Sequence, residues 1–266
     1  MKVSHDNIET FVYTPGKYFV IPDFQRPYSW ENENINSFLE DLEYAIDGKK
    51  THFFGSIVFI NDGENKMIID GQQRVTTVLI MLTALYHIIK TNPKRSLRPA
   101  NQIKDQYLYN DKSYHKENNR IKLRTVSTDN KIFESIFEQN IISEKQKASR
   151  LYQAYRLFIN FFENKDNLDK YLEALSMFEI VIIALDSSDD NPQKIFESIN
   201  STGKPLSDGD KIRNFALMLN NHEAREFVLK SYWTFIETKL TKGNQDFISD
   251  FFKYYLTSVL HSTLAI

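Results

Sequence analysis

Lys66-Met67-Ile68-Ile69-Asp70-Gly71-Gln72-Gln73-Arg74-Val75-Thr76-Thr77-Val78-Leu79 changes its period halfway along. Residues 66–69 are β-forming and follow Asn61-Asp62-Gly63, a tight-turn signal. They are therefore expected to be the return strand of a hairpin whose first strand covers residues 53–60. From Val75 onward, Val75, Val78, Leu79, Leu82, Leu85, Tyr86 and Ile89 recur at helical spacing until Asn92-Pro93 stops them. A strand that feeds directly into a long helix makes the chain a mixture of sheet and helix. The joint between the two is Asp70 to Arg74.

Upstream, residues 18–21 read as a short strand stopped by Pro22. Phe24-Gln25-Arg26-Pro27-Tyr28 follows as an extended loop, because a residue before proline is biased away from the helical region. Ile35, Phe38, Leu39, Leu42 and Ile46 then mark a helix that starts near residues 29–31 and ends at Gly48. Downstream, residues 94–124 are basic and polar, with Tyr107, Tyr109 and Tyr114 among them, and are expected to form loops and short elements. Within them Asn119-Arg120-Ile121-Lys122-Leu123-Arg124 alternates cations with apolar residues, the pattern of a solvated charged strand or of one lining DNA. Residues 130–163 are helical in pattern, Phe178–Leu185 reads as a buried strand, residues 193–200 as a short helix, and the chain from Ser207 onward as helical. The expected class is α+β, a small mixed sheet with extensive helical additions, the insertion falling near residues 94–170.

A chain of 266 residues can bury a substantial core as one large domain or two small ones. The net charge of -2 announces no global attraction to nucleic acid, so any such role needs a local basic surface. The absence of cysteine excludes disulfides, thiolate metal sites and cysteine nucleophiles. Residues 1–10 carry charge where a signal peptide would be apolar, and the longest apolar run, residues 78–82, is far too short to cross a bilayer. A cytoplasmic chain with no membrane segment is expected.

The joint suits an anion. A helix N-terminus presents unpaired N–H groups and the positive end of a dipole. Gly71 has no Cβ to obstruct close approach, Gln72 and Gln73 offer amides, and Arg74 offers a forked cation that matches phosphate. A purely structural reading makes Asp70 the N-cap and Gln73 its capping-box partner. It leaves Arg74 unexplained, since a cation in the first turn opposes the dipole unless an anion, phosphate or internal carboxylate, lies nearby.

Asp70-Gly71-Gln72-Gln73-Arg74 followed by Thr76-Thr77 resembles the signature of the N-terminal domain of GmrSD-type modification-dependent restriction endonucleases. Three further blocks fit in order: Phe24-Gln25-Arg26-Pro27-Tyr28-Ser29-Trp30, His52-Phe53-Phe54-Gly55-Ser56-Ile57, and Ile195-Phe196-Glu197-Ser198-Ile199-Asn200-Ser201-Thr202-Gly203-Lys204-Pro205-Leu206-Ser207. The resemblance implies a sheet similar to the ParB/sulfiredoxin-like core. It implies a nucleotide-binding sensor over residues 1–217, with residues 218–266 as a helical extension leading toward a further domain. It also implies a place in bacterial anti-phage defence, with NTP and Mg²⁺ as ligands and with DNA, modified in some form, and a nuclease domain or subunit as partners. By the same resemblance Gly71 and Arg74 hold phosphate, with Gln72, Gln25, Arg26, Asn200 and Lys204 around it. Asp70, Gln73, Arg74 and Glu197 are the candidate catalytic groups, Glu197 being the choice for metal work, though the metal ligands themselves stay unknown.

The residues alone leave other readings open. Tyr28 and Trp30 suit stapling the loop to the following helix better than stacking on a base. His52 reads as a packed or surface residue, and Gly55 as a point of close approach by a ligand or by backbone. Gly203, Pro205, Ser207 and Asp210 are accounted for by helix capping. No P-loop pattern occurs, and His115-Lys116-Glu117-Asn118-Asn119 lacks the second histidine of a nuclease motif, which reads it as a polar loop. An NTP-hydrolysing sensor is thus expected first, a non-catalytic modified-DNA-binding module second, and a ParB-like nuclease last.

Overall fold

The computed structural model describes residues 1–48, 50–110, 120–185, 207–217, 224, 227–240 and 246–260. By compactness the chain divides into two units: residues 1–22 with 27–192, and residues 23–26 with 193–266.

The first unit is built on a six-stranded mixed sheet. Its strands are β1 (Lys2–Asn7), β2 (Tyr18–Val20), β3 (His52–Asp62), β4 (Asn65–Asp70), β5 (Leu123–Arg124) and β6 (Phe178–Leu185), in the order β1-β6-β3-β4-β2-β5. β6 pairs antiparallel with β1 and parallel with β3, and β3 pairs antiparallel with β4. β2 runs parallel to both β4 and β5. The expected hairpin is present but longer than its apolar run. Asp62 pairs with Asn65, leaving Gly63 at φ +56° and Glu64 as the turn. An α+β class follows, as the change of period at residue 70 predicts.

The helices of this unit are α1 (Ile8–Tyr13), α2 (Asn32–Gly48), α3 (Gln72–Thr91), α4 (Ala100–Ile103), α5 (Ser127–Phe137), α6 (Glu144–Lys147), α7 (Arg150–Glu163) and α8 (Asp169–Ala174). The spacing in α3 predicts one buried stripe. Instead every residue from Val75 to Ile89 is buried, the polar Thr76, Thr77, Thr83 and His87 included. Helices α4 and α7 pack along it, so its outer face is covered as well. Its polar groups are satisfied internally, as burial requires. Thr77 and Thr83 hydroxyls donate to the carbonyls of Gln73 and Leu79. His87 Nε2 lies 3.1 Å from the Phe137 carbonyl and so donates, leaving Nδ1 to accept from the Tyr155 hydroxyl at 2.9 Å. Burial lowers the His87 pKa to about 4, which keeps the ring neutral.

The alternating segment at residues 120–124 is neither solvated nor available to DNA. Ile121, Lys122 and Leu123 are all buried, because β5 closes the sheet against β2. The Lys122 ammonium donates to the carbonyls of Gln106 at 2.6 Å and Thr14 at 3.2 Å, at the C-terminal end of α1, where a cation meets the favourable end of the helix dipole. Arg124 lies flat over the Tyr18 ring, 3.9 Å from its centroid.

Phe38 of α2 is the centre of the aromatic packing between helix and sheet. Its ring meets Phe54 at 5.4 Å, Phe178 at 5.6 Å and Phe158 at 6.1 Å. Phe53, one residue before Phe54 on β3, is 63% exposed. Phe38→Ala is expected to destabilise the protein by about 3–5 kcal/mol and Phe53→Ala by less than about 0.5 kcal/mol. Urea denaturation checks both, and equal midpoints would contradict this placement of the core.

Candidate functional site

The joint at residues 70–74 is built by a backbone reversal. Asp70 is the last residue of β4, paired with Val58 of β3. Gly71 then adopts φ 85°, ψ 8°, a left-handed conformation that costs other residues about 1–2 kcal/mol. A Cβ on Gly71 would also lie 2.9 Å from the Ser56 carbonyl oxygen, so β3 itself demands glycine. Packing of the turn on its own sheet is thus one reason for a glycine here.

Gly71, rather than Asp70, is the N-cap of α3, and no side chain caps it. The capping-box reading of Asp70 and Gln73 therefore fails. The first intrahelical bond runs from Val75 N to Gly71 O at 3.0 Å. The amides of Gln72, Gln73 and Arg74 precede it and form the uncapped first turn. Asp70 and Gln72 beside them are half-buried.

Arg74 is half-buried and folds back onto β3. Its Nη1 donates to the Ser56 carbonyl at 3.2 Å. Gly55 makes this possible. β3 bulges there against β6, Gly55 takes φ +108°, and a Cβ would lie 2.8 Å from the guanidinium carbon. The group that approaches Gly55 closely is a side chain, that of Arg74, rather than backbone. Among the described residues no carboxylate pairs with this guanidinium. The internal anion that would explain a cation in the first turn is thus missing from the described residues.

Gln73 faces the other way and is buried. Its Oε1 accepts from the Ser29 amide at 2.8 Å and its Nε2 donates to the Pro27 carbonyl at 3.3 Å. The Tyr28 hydroxyl bonds Thr77 Oγ1 at 2.7 Å, and the Tyr28 amide donates to Asp129 Oδ2 at 2.6 Å. Arg150 donates to the Ser29 carbonyl and pairs with Glu31. Residues 27–29 are thereby clamped by α3, α5 and α7. Tyr28 is a staple, as expected, but to α3 and α5; Trp30 alone packs on the following helix, against Phe38 at 6.5 Å. His52 is a packed residue, its ring tilted at 40° against Phe178 at 4.9 Å with Asp41 3.5 Å from its Nε2.

Asp129 was invisible to motif reading, although it shares helical spacing with the buried Phe133 and Ile136 of α5. A carboxylate on an apolar stripe is the signal that would have found it. Burial raises its pKa to about 6, against the lowering effect of the Tyr28 amide.

In the second unit Gln25 is 2% exposed, and the Phe24 and Gln25 carbonyls accept from the buried guanidinium of Arg213. Arg213 lies on α9 (Asp208–Leu217), again a charge on the buried side, in line with Gly209 and Leu217. α9 packs on α11 (Asp246–Leu260), where Gly209 N donates to Ser249 Oγ at 2.9 Å; α10 (Thr234–Leu240) precedes it. Arg26 is half-buried, with its Nε enclosed and lacking a hydrogen-bond partner. Glu197, Asn200, Lys204 and the 115–119 segment lie outside the described residues. Among the described residues no group of three His, Cys, Asp or Glu side chains is placed to hold a metal ion, and no helix is long and apolar enough to cross a membrane.

A sequence-family model described as the GmrSD restriction endonuclease, N-terminal domain, matches residues 8–217. The match takes in both faces of the clamp and the whole joint. No curated protein matches the chain.

The buried Asp129 makes stability depend on pH. Between pH 4 and about 6 the folded state retains a proton that the unfolded chain has released, so its stability falls as pH rises through that window. Asp129→Asn keeps an acceptor for the Tyr28 amide without the charge. It is expected to be more stable than the parent at pH 7.5, by up to about 3 kcal/mol, with the gap closing near pH 4. A gap that stays constant across that range in denaturant titrations would refute the assignment.

Proposed function

The chain belongs to the family of GmrSD restriction endonuclease N-terminal domains, and from that premise we propose that it is the nucleoside-triphosphate-binding and hydrolysing sensor of a DNA restriction system. The observation that carries the reading is Arg74. A guanidinium in the first turn of α3, half-buried and without a carboxylate partner among the described residues, is a charge built for an anion brought from outside.

The parts divide as follows. The uncapped amides of Gln72, Gln73 and Arg74 and the Arg74 guanidinium receive phosphate oxygens. The Ser56 carbonyl and the bulge at Gly55 hold the guanidinium in place before any ligand arrives, which reduces the ordering cost of binding. Gly71 shapes the turn and, with Arg74, is proposed to hold phosphate. Gln73, proposed from sequence as catalytic, spends its amide on residues 27 and 29 and is reassigned as a positioning residue. Asp70, half-buried two residues before the first of these amides, is a described carboxylate available to orient the attacking water or a phosphate-bound Mg²⁺. Gln25, Arg26, Asn200, Lys204 and Glu197 are the further residues that family resemblance adds to the proposal, although Gln25 is buried and its carbonyl accepts from Arg213. DNA, modified in some form, and a nuclease domain or subunit are the partners this role requires.

Phosphate release from a panel of nucleoside triphosphates with Mg²⁺, run beside thermal shift, tests the proposal. At least one nucleotide is expected to raise the melting temperature and to be turned over. Arg74→Ala should abolish both effects while melting, without ligand, within a few degrees of the parent. Normal turnover by Arg74→Ala would overturn the site. Binding without turnover would leave a non-catalytic sensor.

A further inference from the structure

We propose that the open edge of β1 is a self-association surface, pairing antiparallel with β1 of a second copy in the register that sets Lys2 opposite Asp6. β1 ends the sheet order, with β6 on one side and no strand on the other among the described residues. Lys2, Val3, Ser4 and His5 are all exposed, and no described residue covers that edge. Natural sheet edges are usually shortened, bulged, covered or interrupted by proline. The opposite edge follows this rule, since β5 has two residues. β1 relies on charge alone, through Lys2 and Asp6: it runs six residues against β6 in unbroken register, without proline, and holds Val3 57% exposed.

Backbone geometry restricts how two such edges can meet. In an antiparallel strand each residue turns both its N–H and its C=O to the same side, alternately toward β6 and toward the open edge. Two copies related by a two-fold axis can therefore pair only residues that are an even number of positions apart. The axis must pass through a residue, and Val3, Ser4 and His5 are the central choices. Centred on Val3, Lys2 faces Ser4; centred on His5, Ser4 faces Asp6. Centred on Ser4, Lys2 of each copy faces Asp6 of the other, and Val3 faces His5 on the opposite face. Only this register is complementary in charge, and opposite charges directly across a ladder stabilise it. Against an unrelated edge the same two charges disfavour pairing.

The chain has no cysteine, so Ser4→Cys introduces a single thiol at the proposed axis. Its Cα would face its own copy within disulfide reach, about 4.5–5.5 Å. A thiol at His5→Cys would be separated from its copy by about 8 Å, beyond that reach. Under mild oxidation Ser4→Cys is expected to cross-link at least tenfold faster than His5→Cys or Phe53→Cys. Sedimentation equilibrium is expected to show a concentration-dependent dimer, weakened by Lys2→Asp and restored by Lys2→Asp combined with Asp6→Lys. Lys2, Ser4 and His5 are exposed, while Asp6 is half-buried, accepts from the Asn7 amide and lies in the field of Lys66, so circular dichroism is run on each variant to check that it folds. A parent chain that stays monomeric at its highest soluble concentration would overturn the proposal. So would equal cross-linking at positions 4 and 5, or a double swap no better than the single. None of these readings depends on nucleotide.

Discussion

The left-handed turn at Gly71 is the constraint on which the first unit depends. It allows α3 to leave β4 without an intervening loop, and it presses the turn against the Ser56 carbonyl so closely that no side chain fits between them. Two consequences follow from the helix starting at that point. Gln73 and Thr77, one turn apart, face the 27–29 loop, while Arg74, rotated by one position, faces β3. The same turn thus separates a face that holds structure together from a face that is open to chemistry. With a helix starting one residue earlier, the Asp70 side chain would cap the first-turn amides and occupy the place an anion would take.

How far the residues could be read in advance divides along the same line. The change of period at residue 70, the hairpin and the strands at 18 and 178 were legible because each rests on local pattern. The complete burial of α3 was not. A helix covered on all sides shows an ordinary stripe in its own residues, and its cover comes from α4 and α7, which lie far along the chain. Lys122 misled for the same reason. A cation alternating with apolar residues looks solvated unless the Gln106 and Thr14 carbonyls that receive it are known.

At the site, residue types were legible and their partners were not. Arg74 stood out because its charge opposed the dipole, an argument that needs only position. Gln73 looked like a cap because its spacing from Asp70 permits one, and the actual partners, residues 27 and 29, are more than forty positions away in sequence. Asp129 and Arg213 escaped because neither belongs to a motif. Each is a charge on the buried stripe of its helix, a signal that depends on periodicity alone and applies equally to both units.

The Gln73 clamp has a consequence for how such a domain can vary. Its amide contacts only backbone atoms, the carbonyl of one residue and the N–H of the next but one. Peptide groups are common to all amino acids, so the identity of the residue at position 29 is almost irrelevant to the clamp, while the count of residues between the two contacts is not. A change of length by a single residue would put the wrong group opposite each amide atom and turn Tyr28 away from Thr77. Drift in the side chain at position 29 is therefore cheap, whereas loss of the Tyr28 hydroxyl, insertion or deletion is not. The length of this stretch is held by the amide of one glutamine on another part of the chain.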